Sequence, residues 1–574
     1  MKYIELQWEQ SNDGVLYFVQ RLEEMLFHYS DDIVKAPVHN TATLIKEYVR
    51  LSMDKNIKPF HLREVAEELQ ESLQNDRILK ERIGSKKIQK LIDSLKSHQT
   101  DTVRYLSNMI SSKVYYKWCV SYVLKYVPKA TAKDEILHGL RSWIASVIWA
   151  GYSSEYVYRY LKETFSKSVN EPVCEAEKFI NHFNMEYRYY RVYFLFMGSI
   201  ASYRELLNQR LEVVFNDDGY FHEMSQPYNG AFVGYIDVNM FDPYSAARGA
   251  LANINIFISF YRVISNRKKD LISKTVMVRD VDESNTVKMP VILNGYRAIE
   301  VEPKVDLKKT IDYIILGCQR KPRDTYYNLK RIIELHNMAL KQVDLSDGFV
   351  NLWSVLEVVS KGSDKESKIE AVISSIMPVL QNDYIHTYFD SIQSDLKNAL
   401  PHDSYKELIS EISEEGSERF KLMCWTFLCD YEKSREKWFN NLSSYPNIRQ
   451  KIYRMYKLRN KRTALFNLTE DYARRVKWHL YRLYRVRNGI VHAGTNERNT
   501  QVLGEHLHIY CDCVINEIII KLAREETLQT IQDVLLDTRL LVDVKKEHFN
   551  SEGPVTKEDI DFITKSFFKD INDY

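Results

Sequence analysis

Apolar residues recur three and four positions apart along most of the first 180 residues, and this spacing constrains the fold more than any other sequence feature. Stretches such as TATLIKEYVRLSM (41–53) and HLREVAEELQESLQ (61–74) place these side chains along one helical face. Glycine and proline, which interrupt helices, account for only 18 and 13 of the 574 residues. We therefore expect a mainly α-helical protein, with helix starts at Asn40–Thr41 and Lys133–Asp134.

The chain is longer than a single hydrophobic core usually supports, and its pattern changes twice along the sequence. Short stretches rich in aromatic and β-branched residues indicate strands in the middle of the chain. The predicted strands lie at 187–196, 231–241, 274–280 and 290–302, with a helix at 245–264. We expect three regions: a helical N-terminal region (1–180), a small α+β module that could act as a sensor (181–306), and a C-terminal helical bundle with a helical tail (307–574).

Composition and the lengths of the apolar runs indicate which compartment and which partners to expect. No apolar run reaches the roughly 18 residues that a membrane-spanning helix needs, and the first ten residues lack the order of a signal peptide. The seven cysteines form no CxxC pair, which is typical of a reducing compartment. We therefore expect a cytoplasmic protein without a membrane partner. The net charge of +2 indicates no nucleic-acid partner for the chain as a whole, so any such signal must be local.

The segment DYARRVKWHLYRLYRVRNGIVHAG (471–494) predicts a helix that ends near Gly494, because glycine is a common C-terminal stop. Asn488 and His492 are four residues apart and share one face of that helix. Arg487 precedes His492 by five residues, about 140° around an ideal α-helix. Its long side chain can still reach the same pocket.

These three residue types suit one reaction, the attack of an RNA 2′-hydroxyl on its adjacent phosphate. A histidine can transfer the proton, and an arginine can hold the phosphate and stabilise its developing charge. An asparagine can orient either group. The nucleophile belongs to the substrate, so no metal or cofactor is required, and the need for a 2′-hydroxyl predicts RNA rather than DNA. The products would be a 2′,3′-cyclic phosphate and a 5′-hydroxyl.

Two segments resemble a known family. RNGIVH (487–492) matches the RNxxxH signature of HEPN domains, and its flanks are similar to the ApeA-like HEPN subgroup of anti-phage proteins. VNLWSVLEVV (350–359) is similar to the first helix of that subgroup, with Trp353 and Glu357 at its characteristic positions. The resemblance covers roughly residues 320–540.

The resemblance implies a helical bundle that forms a homodimer, so that two RNxxxH motifs face one cleft. It also implies metal-independent cleavage of transfer or messenger RNA during phage infection, with recognition of a phage-encoded trigger in the N-terminal half. The implied catalytic residues are Arg487, Asn488 and His492, with Glu357 in a supporting role. From sequence alone, Glu357 could either contact Arg487 or face solvent.

A basic segment precedes the motif. Arg449–Arg487 contains thirteen Lys or Arg residues and two acidic ones, a local net charge of +11 with tyrosines and a tryptophan interleaved. This pattern is typical of surfaces that follow phosphates and stack on bases, although solvated helix faces can produce it too. The predicted RNA-binding residues are Arg459, Lys461, Arg462, Arg474, Arg475, Lys477, Arg482, Tyr484 and Arg485. Arg459–Asn460 imitates the start of the motif, but Ala464 stands where its histidine should be.

Several alternatives stay open at this stage. The motif residues could simply cap a helix end, the domain could be a catalytically silent HEPN module for RNA binding or dimerisation, or the chain could be the toxin of a toxin–antitoxin pair. HLHIYCDC (506–513) is not expected to bind a metal, because residues two apart on a helix point in nearly opposite directions. For Asp237 and Asp242, a turn or helix start is favoured over a catalytic carboxylate pair.

Overall fold

The computed structural model describes most of the chain. Its described residues are 12–27, 30, 33, 35–55, 57–97, 100–166, 171–197, 203–215, 232–265, 272–282, 289–292, 307–363, 365, 367–494 and 499–564. The structure is 75% helix and 6% strand, which confirms the predicted mainly α fold with a small α+β module. Within these residues, no helix is both long and apolar enough to cross a membrane.

The helices and strands have the following bounds. The first half contains α1 (Asp13–Leu26), α2 (Thr41–Met53), α3 (Pro59–Asn75), α4 (Arg77–Ile83), α5 (Ser85–Lys96), α6 (Thr100–Met109), α7 (Ser112–Tyr126), α8 (Lys133–Ala150), α9 (Ser154–Phe165), α10 (Pro172–His182), β1 (Arg188–Phe196), α11 (Arg204–Leu211), β2 (Phe232–Met240), α12 (Pro243–Ser265), β3 (Thr275–Asp280) and β4 (Met289–Ile292). The second half contains α13 (Leu307–Gln319), α14 (Arg323–Lys341), α15 (Leu345–Val359), α16 (Lys368–Ala399), α17 (His402–Ser410), α18 (Glu418–Phe427), a 3₁₀ turn (Cys429–Tyr431), α19 (Glu432–Asn441), α20 (Pro446–Tyr456), α21 (Arg462–Asn488), a π turn (Gly489–Ala493), α22 (Thr500–Arg524), α23 (Ile531–Phe549) and α24 (Lys557–Thr564).

Helix starts follow the capping signals in the sequence. Asn40 begins α2 by accepting a hydrogen bond from the backbone N–H of Thr43, whose hydroxyl bonds back to the backbone N–H of Asn40. This reciprocal pair satisfies two of the backbone donors that a helix start leaves open. Asp344 caps the start of α15, where its side chain accepts hydrogen bonds from the N–H groups of Ser346 and Asp347. The predicted starts at residues 40–41 and 133 are confirmed.

The described residues form two compact units rather than three successive regions. The first takes its residues from Met1–Ser146, Lys162–Lys178 and Tyr296–Tyr574, and the second from Val147–Leu161 and Phe179–Gly295. The sequence analysis placed boundaries near 180 and 306 and treated the N-terminal helices as separate from the C-terminal bundle. The structure joins them because charged side chains of the two segments pair with each other inside one unit.

Lys451 on α20 illustrates how the first unit is held together. Its ammonium lies 2.6 Å from a carboxylate oxygen of Glu24 on α1 and 2.6 Å from one of Asp395 on α16. All three side chains are buried. Burial alone would raise the pKa of Glu24, but Lys451 and Arg21 lower it to about 2. Because a buried charge is costly without a partner, these pairs specify the packing of α1 against the C-terminal helices.

The second unit contains an antiparallel sheet with strand order β2-β1-β3-β4 and the helix α12 packed against it. Register pairs Val192 of β1 with Ile236 of β2 and with Val278 of β3, all three of them buried. The four predicted strands and the helix between them are confirmed, although the fourth strand ends at Ile292 and residues 293–302 lie outside the described residues.

The two aspartates of this unit do not form a carboxylate pair. Asp242 caps α12, where its side chain accepts hydrogen bonds from the N–H groups of Tyr244 and Ser245. Asp237 instead makes a two-point ion pair with Arg191 on the neighbouring strand, with distances of 2.8 and 2.9 Å. The favoured structural interpretation of Asp242 is therefore confirmed.

Candidate active site

The end of the motif helix departs from α-helical geometry. Helix α21 continues at Gly489 into a π turn, in which the N–H of Gly494 donates to the carbonyl of Gly489. Gly494 ends the turn in the left-handed conformation, with φ of 61°, as the sequence predicted for a stop at this position. A π turn bonds residues five apart, so successive residues within it are rotated by less than the 100° of an ideal α-helix.

Arg487 forms the centre of the candidate site. Its Nη2 lies 3.4 Å from Oε1 of Glu357 on α15, and its Nη1 donates to the side-chain oxygen of Asn488 at 3.2 Å. The same Glu357 oxygen accepts a hydrogen bond from the indole N–H of Trp353 at 3.1 Å. Of the two arrangements considered for Glu357, the structure therefore has the contact with Arg487.

The guanidinium keeps donor capacity beyond these contacts. The Nε of Arg487 is buried and has no hydrogen-bond partner among the described residues. Arginine carries five N–H donors in a fixed fork that matches phosphate oxygens. Nη1 and Nη2, which contact Asn488 and Glu357, each carry a second N–H donor, and the side chain is 19% exposed.

His492 lies on the π turn with its side chain exposed, as do the neighbouring residues Val491 and Ala493. No hydrogen bond or ion pair fixes its imidazole within the part of the chain that the structure describes. The motif thus consists of Arg487 and Asn488, which are half-buried and linked by a side-chain hydrogen bond, and of one exposed histidine, His492.

Aromatic rings pack behind the motif. The ring of Tyr484 lies 5.6 Å from that of the buried Trp353 and 5.9 Å from that of His61 on α3, which it stacks against. Tyr484 was predicted to stack on RNA bases. These contacts instead make its ring part of the packing between α3, α15 and α21, so we do not assign it to an RNA surface.

The basic segment is largely paired with acidic residues of the N-terminal helices. Arg482 is buried and binds Glu47 through two nitrogens, at 2.9 and 3.1 Å, and Glu68 through a third contact at 2.6 Å. Arg485 also binds Glu47. Burial by itself would raise the pKa of Glu47, yet the two arginines keep it well below its usual range. The prediction that Arg482 and Arg485 contact RNA is therefore corrected: both guanidinium groups bind within the fold.

Other members of the segment are also engaged. Lys477 lies 2.9 Å from Glu64, and Arg474 lies 2.9 Å from Glu71. Both keep part of their side chains exposed, and the side chain of Arg475 is exposed as well. The +11 charge counted along the sequence is consequently much reduced on the folded surface, and Arg475 is the residue of α21 that best fits a solvent-facing phosphate contact.

The remaining predicted RNA-binding residues lie at the other end of α21. Arg462 stands about 38 Å from Arg487 by the 1.5 Å rise of each helical residue, and its Nε lies 3.0 Å from Asp559 on α24. Arg459 lies over the ring of Tyr456 at 3.8 Å, and Lys461 is exposed. The structure therefore does not bring these three residues to the motif.

The chain matches no protein-family model, no curated protein and no solved structure. The functional interpretation accordingly depends on the contacts described above and on the resemblance of segments 350–359 and 487–492 to HEPN ribonucleases.

The cysteines of α22 have separate structural partners. Cys511 is buried, donates its S–H to the carbonyl of Leu352, and has a pKa raised well above its usual range by burial. Cys513 donates to Asp383 on α16. His508, however, lies beside Asp512 and His336, a grouping that the sequence analysis missed. The four-residue spacing of His508 and Asp512 was the available signal, but His336 is 172 residues away in the sequence.

Proposed function

We propose that this protein is a metal-independent endoribonuclease of the HEPN type. The observation that carries the proposal is the position of Arg487: it is oriented by Glu357 at 3.4 Å, donates to Asn488 at 3.2 Å, and lies two residues before the turn that bears His492. An arginine held by a carboxylate beside an exposed histidine suits binding and cleavage of a phosphodiester.

The proposed reaction needs only these residues and the RNA. The 2′-oxygen attacks the adjacent phosphorus while His492 takes the 2′-hydroxyl proton, and the bond to the 5′-oxygen breaks as His492 returns that proton to the leaving 5′-oxygen. Arg487 binds the phosphate oxygens on which negative charge develops, and Asn488 holds the arginine fork in place. The products are a 2′,3′-cyclic phosphate end and a 5′-hydroxyl end.

The protein would act as a homodimer in the cytoplasm, where two motifs form one cleft and a phage-encoded trigger leads to cleavage of transfer or messenger RNA. This biological setting follows from the family resemblance.

The test is incubation of the purified full-length protein with total transfer RNA in excess chelator. Wild type is expected to cleave RNA, and His492→Ala and Arg487→Ala are each expected to lose about 100-fold or more in rate. His402→Ala, at an exposed histidine on α17, serves as the control and should retain wild-type activity. Because the trigger is unidentified, the assay is run with and without lysate from phage-infected cells.

The same assay separates the alternatives. A catalytically silent RNA-binding or dimerisation module would bind the RNA and leave it intact in every condition. A toxin of a toxin–antitoxin pair would cleave without any trigger, and a small gene for a nucleotidyltransferase-like silencer would lie next to its own. Cleavage that stops in excess chelator, although circular dichroism shows the chelated protein still folded with an unchanged melting temperature, would contradict the metal-independent mechanism.

A further inference from the structure

Three metal-ligating side chains, His336, His508 and Asp512, come together between α14 and α22. His508 and Asp512 are four residues apart on α22 and therefore share one face. His336 comes from α14, which packs against α22. The imidazole rings of the two histidines stack with their centroids 5.0 Å apart and their planes within 16° of parallel.

The distances suit a shared ion. Nε2 of His336 lies 3.2 Å from Nε2 of His508 and 2.7 Å from Oδ1 of Asp512. The potential ligand atoms, one from each residue, all lie within 4.8 Å of one another. Two ligands of a tetrahedral zinc ion, each about 2.0–2.1 Å from the metal, are separated by about 3.4 Å. To place one ion at coordination distance from all three, the 2.7 Å contact of His336 with Asp512 must open by about 0.7 Å.

Hydrogen bonding alone satisfies this arrangement poorly. Nε2 of His336 carries at most one hydrogen, yet it faces both the carboxylate of Asp512 and the Nε2 of His508 within hydrogen-bond distance. If that hydrogen is directed to Asp512, the two imidazole nitrogens are left facing each other. A bound cation would instead accept a lone pair from each of the three residues.

The cluster is also accessible to an ion from solvent. The side chain of His508 is only 3% exposed, whereas those of His336 and Asp512 are 20% and 32% exposed. One ligand is thus fixed in the core and two stand at the rim, which leaves room for water in the remaining coordination position. Two imidazoles with one carboxylate are a ligand set that zinc and related divalent transition metals accept.

We propose that His336, His508 and Asp512 bind one divalent transition-metal ion, zinc by ligand type, which links α14 to α22. Both helices pack against α15, the helix that carries Trp353 and Glu357. The ion would therefore stabilise the helices that support the candidate active site. It takes no part in the proposed RNA cleavage, and the two proposals can fail separately.

The test uses untagged full-length protein that has been stripped with chelator and is then titrated with Co²⁺, followed by displacement with Zn²⁺. Wild type is expected to bind one Co²⁺ per chain with visible absorption bands, and Zn²⁺ should raise its melting temperature, because an ion that binds only the folded state stabilises it. Asp512→Asn and His336→Gln, both at the rim, should each weaken the affinity by about ten-fold or more and abolish the melting shift.

The matched control is His548→Gln, since His548 lies 2.8 Å from Asp559 in a histidine–aspartate pair of another part of the first unit. This variant should bind the ion like wild type. Circular dichroism of the metal-free variants checks that they fold. The proposal is overturned if the wild-type chain binds no stoichiometric Co²⁺, or if both rim variants bind Co²⁺ as tightly as wild type.

Discussion

Arg487 of the motif helix lies 3.4 Å from Glu357 of α15, so an ion pair joins the two helices whose sequences resemble HEPN ribonucleases. Glu357 contacts Trp353 through the same oxygen. The carboxylate thus couples the arginine to the hydrophobic core through the buried indole. The arrangement makes Glu357 a positioning residue whose charge and hydrogen-bond roles can be separated by substitution.

Glu357→Gln keeps an acceptor for the Trp353 indole but removes the negative charge beside Arg487. We expect RNA cleavage to fall about ten-fold, equivalent to about 1.4 kcal/mol of transition-state stabilisation, with the free energy of unfolding within about 1 kcal/mol of wild type. Glu357→Ala should also destabilise the fold by about 1–3 kcal/mol, because it leaves the indole N–H unsatisfied. Glu370→Gln, at an exposed glutamate of α16, is the control. Equal cleavage by wild type and Glu357→Gln would remove the positioning role.

Arg482 and Arg475 lie two helical turns apart on α21 but differ in environment, one buried against Glu47 and Glu68 and one exposed. Arg482→Ala should lower the free energy of unfolding by about 3 kcal/mol, because the buried Glu47 is left with Arg485 and Glu68 loses its ion pair. Arg475→Ala should change it by less than about 0.5 kcal/mol. Urea unfolding of both variants measures these free energies. A loss for Arg482→Ala as small as that for Arg475→Ala would show that the ion-pair network is unimportant for folding.

His39 gives the first unit a sensitivity to acid. Burial and the nearby Arg482 lower the pKa of His39 from 6.5 to about 3, against an opposing effect of Glu47. Between these two values the unfolded chain binds a proton that the folded protein does not, so stability falls as the pH decreases from about 6.5 towards 3. His39 contributes at most about 1.4 kcal/mol per pH unit to this slope, and the buried His61, His386 and His506, whose pKa values burial also lowers, add to it.

Urea unfolding at pH 7, 6 and 5 measures this slope, and the comparison is between wild type and His39→Gln. The variant should show a smaller loss of stability over this interval, whereas His402→Gln, at an exposed histidine, should follow wild type. An identical pH dependence for wild type and His39→Gln would mean that this histidine does not titrate as its burial implies.

Gly494 ends the π turn with φ of 61°, and among the described residues, apart from Gly494 and its chain neighbours, no heavy atom lies within 4 Å of the place where a Cβ would stand. A side chain would therefore meet backbone strain but no clash. Gly494→Ala should destabilise the protein by about 1 kcal/mol and lower RNA cleavage by displacing His492. Gly494→Asn should cost less, since asparagine tolerates the left-handed conformation. An asparagine variant less stable than the alanine variant would contradict the view that the left-handed backbone of Gly494 disfavours other residues at this helix end.

Local patterns in the sequence were sufficient to predict most of the secondary structure. The start of α2 at Asn40 and the stop at Gly494 depend on neighbouring residues, so both were predictable. The π turn was not predictable. It spans only five residues, which are too few for its i→i+5 bonding to give a hydrophobic period different from that of an α-helix. The change from α21 to a π turn at Gly489 was consequently found only in the structure.

The long-range charge pairs were also invisible in the sequence. Arg482 and Glu47 are 435 residues apart, and nothing near either one indicates the other. The basic segment therefore looked like an RNA surface, although acidic residues of α2 and α3 bind several of its members. In the same way, the spacing of His508 and Asp512 was visible, but the contribution of His336 from α14 was not. Local periodicity can be read from one sequence, whereas pairing between distant helices cannot.

The most direct test of the central claim is sequencing of RNA ends that carry a 5′-hydroxyl, in phage-infected cells that express either wild type or His492→Ala. Cells with wild type should contain new 5′-hydroxyl ends, with matching 2′,3′-cyclic phosphates upstream. Cells with His492→Ala, at equal protein levels, should contain neither kind of new end. The same set of ends in both cell populations, or no new ends in either, would contradict the assignment of this protein as a HEPN-type endoribonuclease.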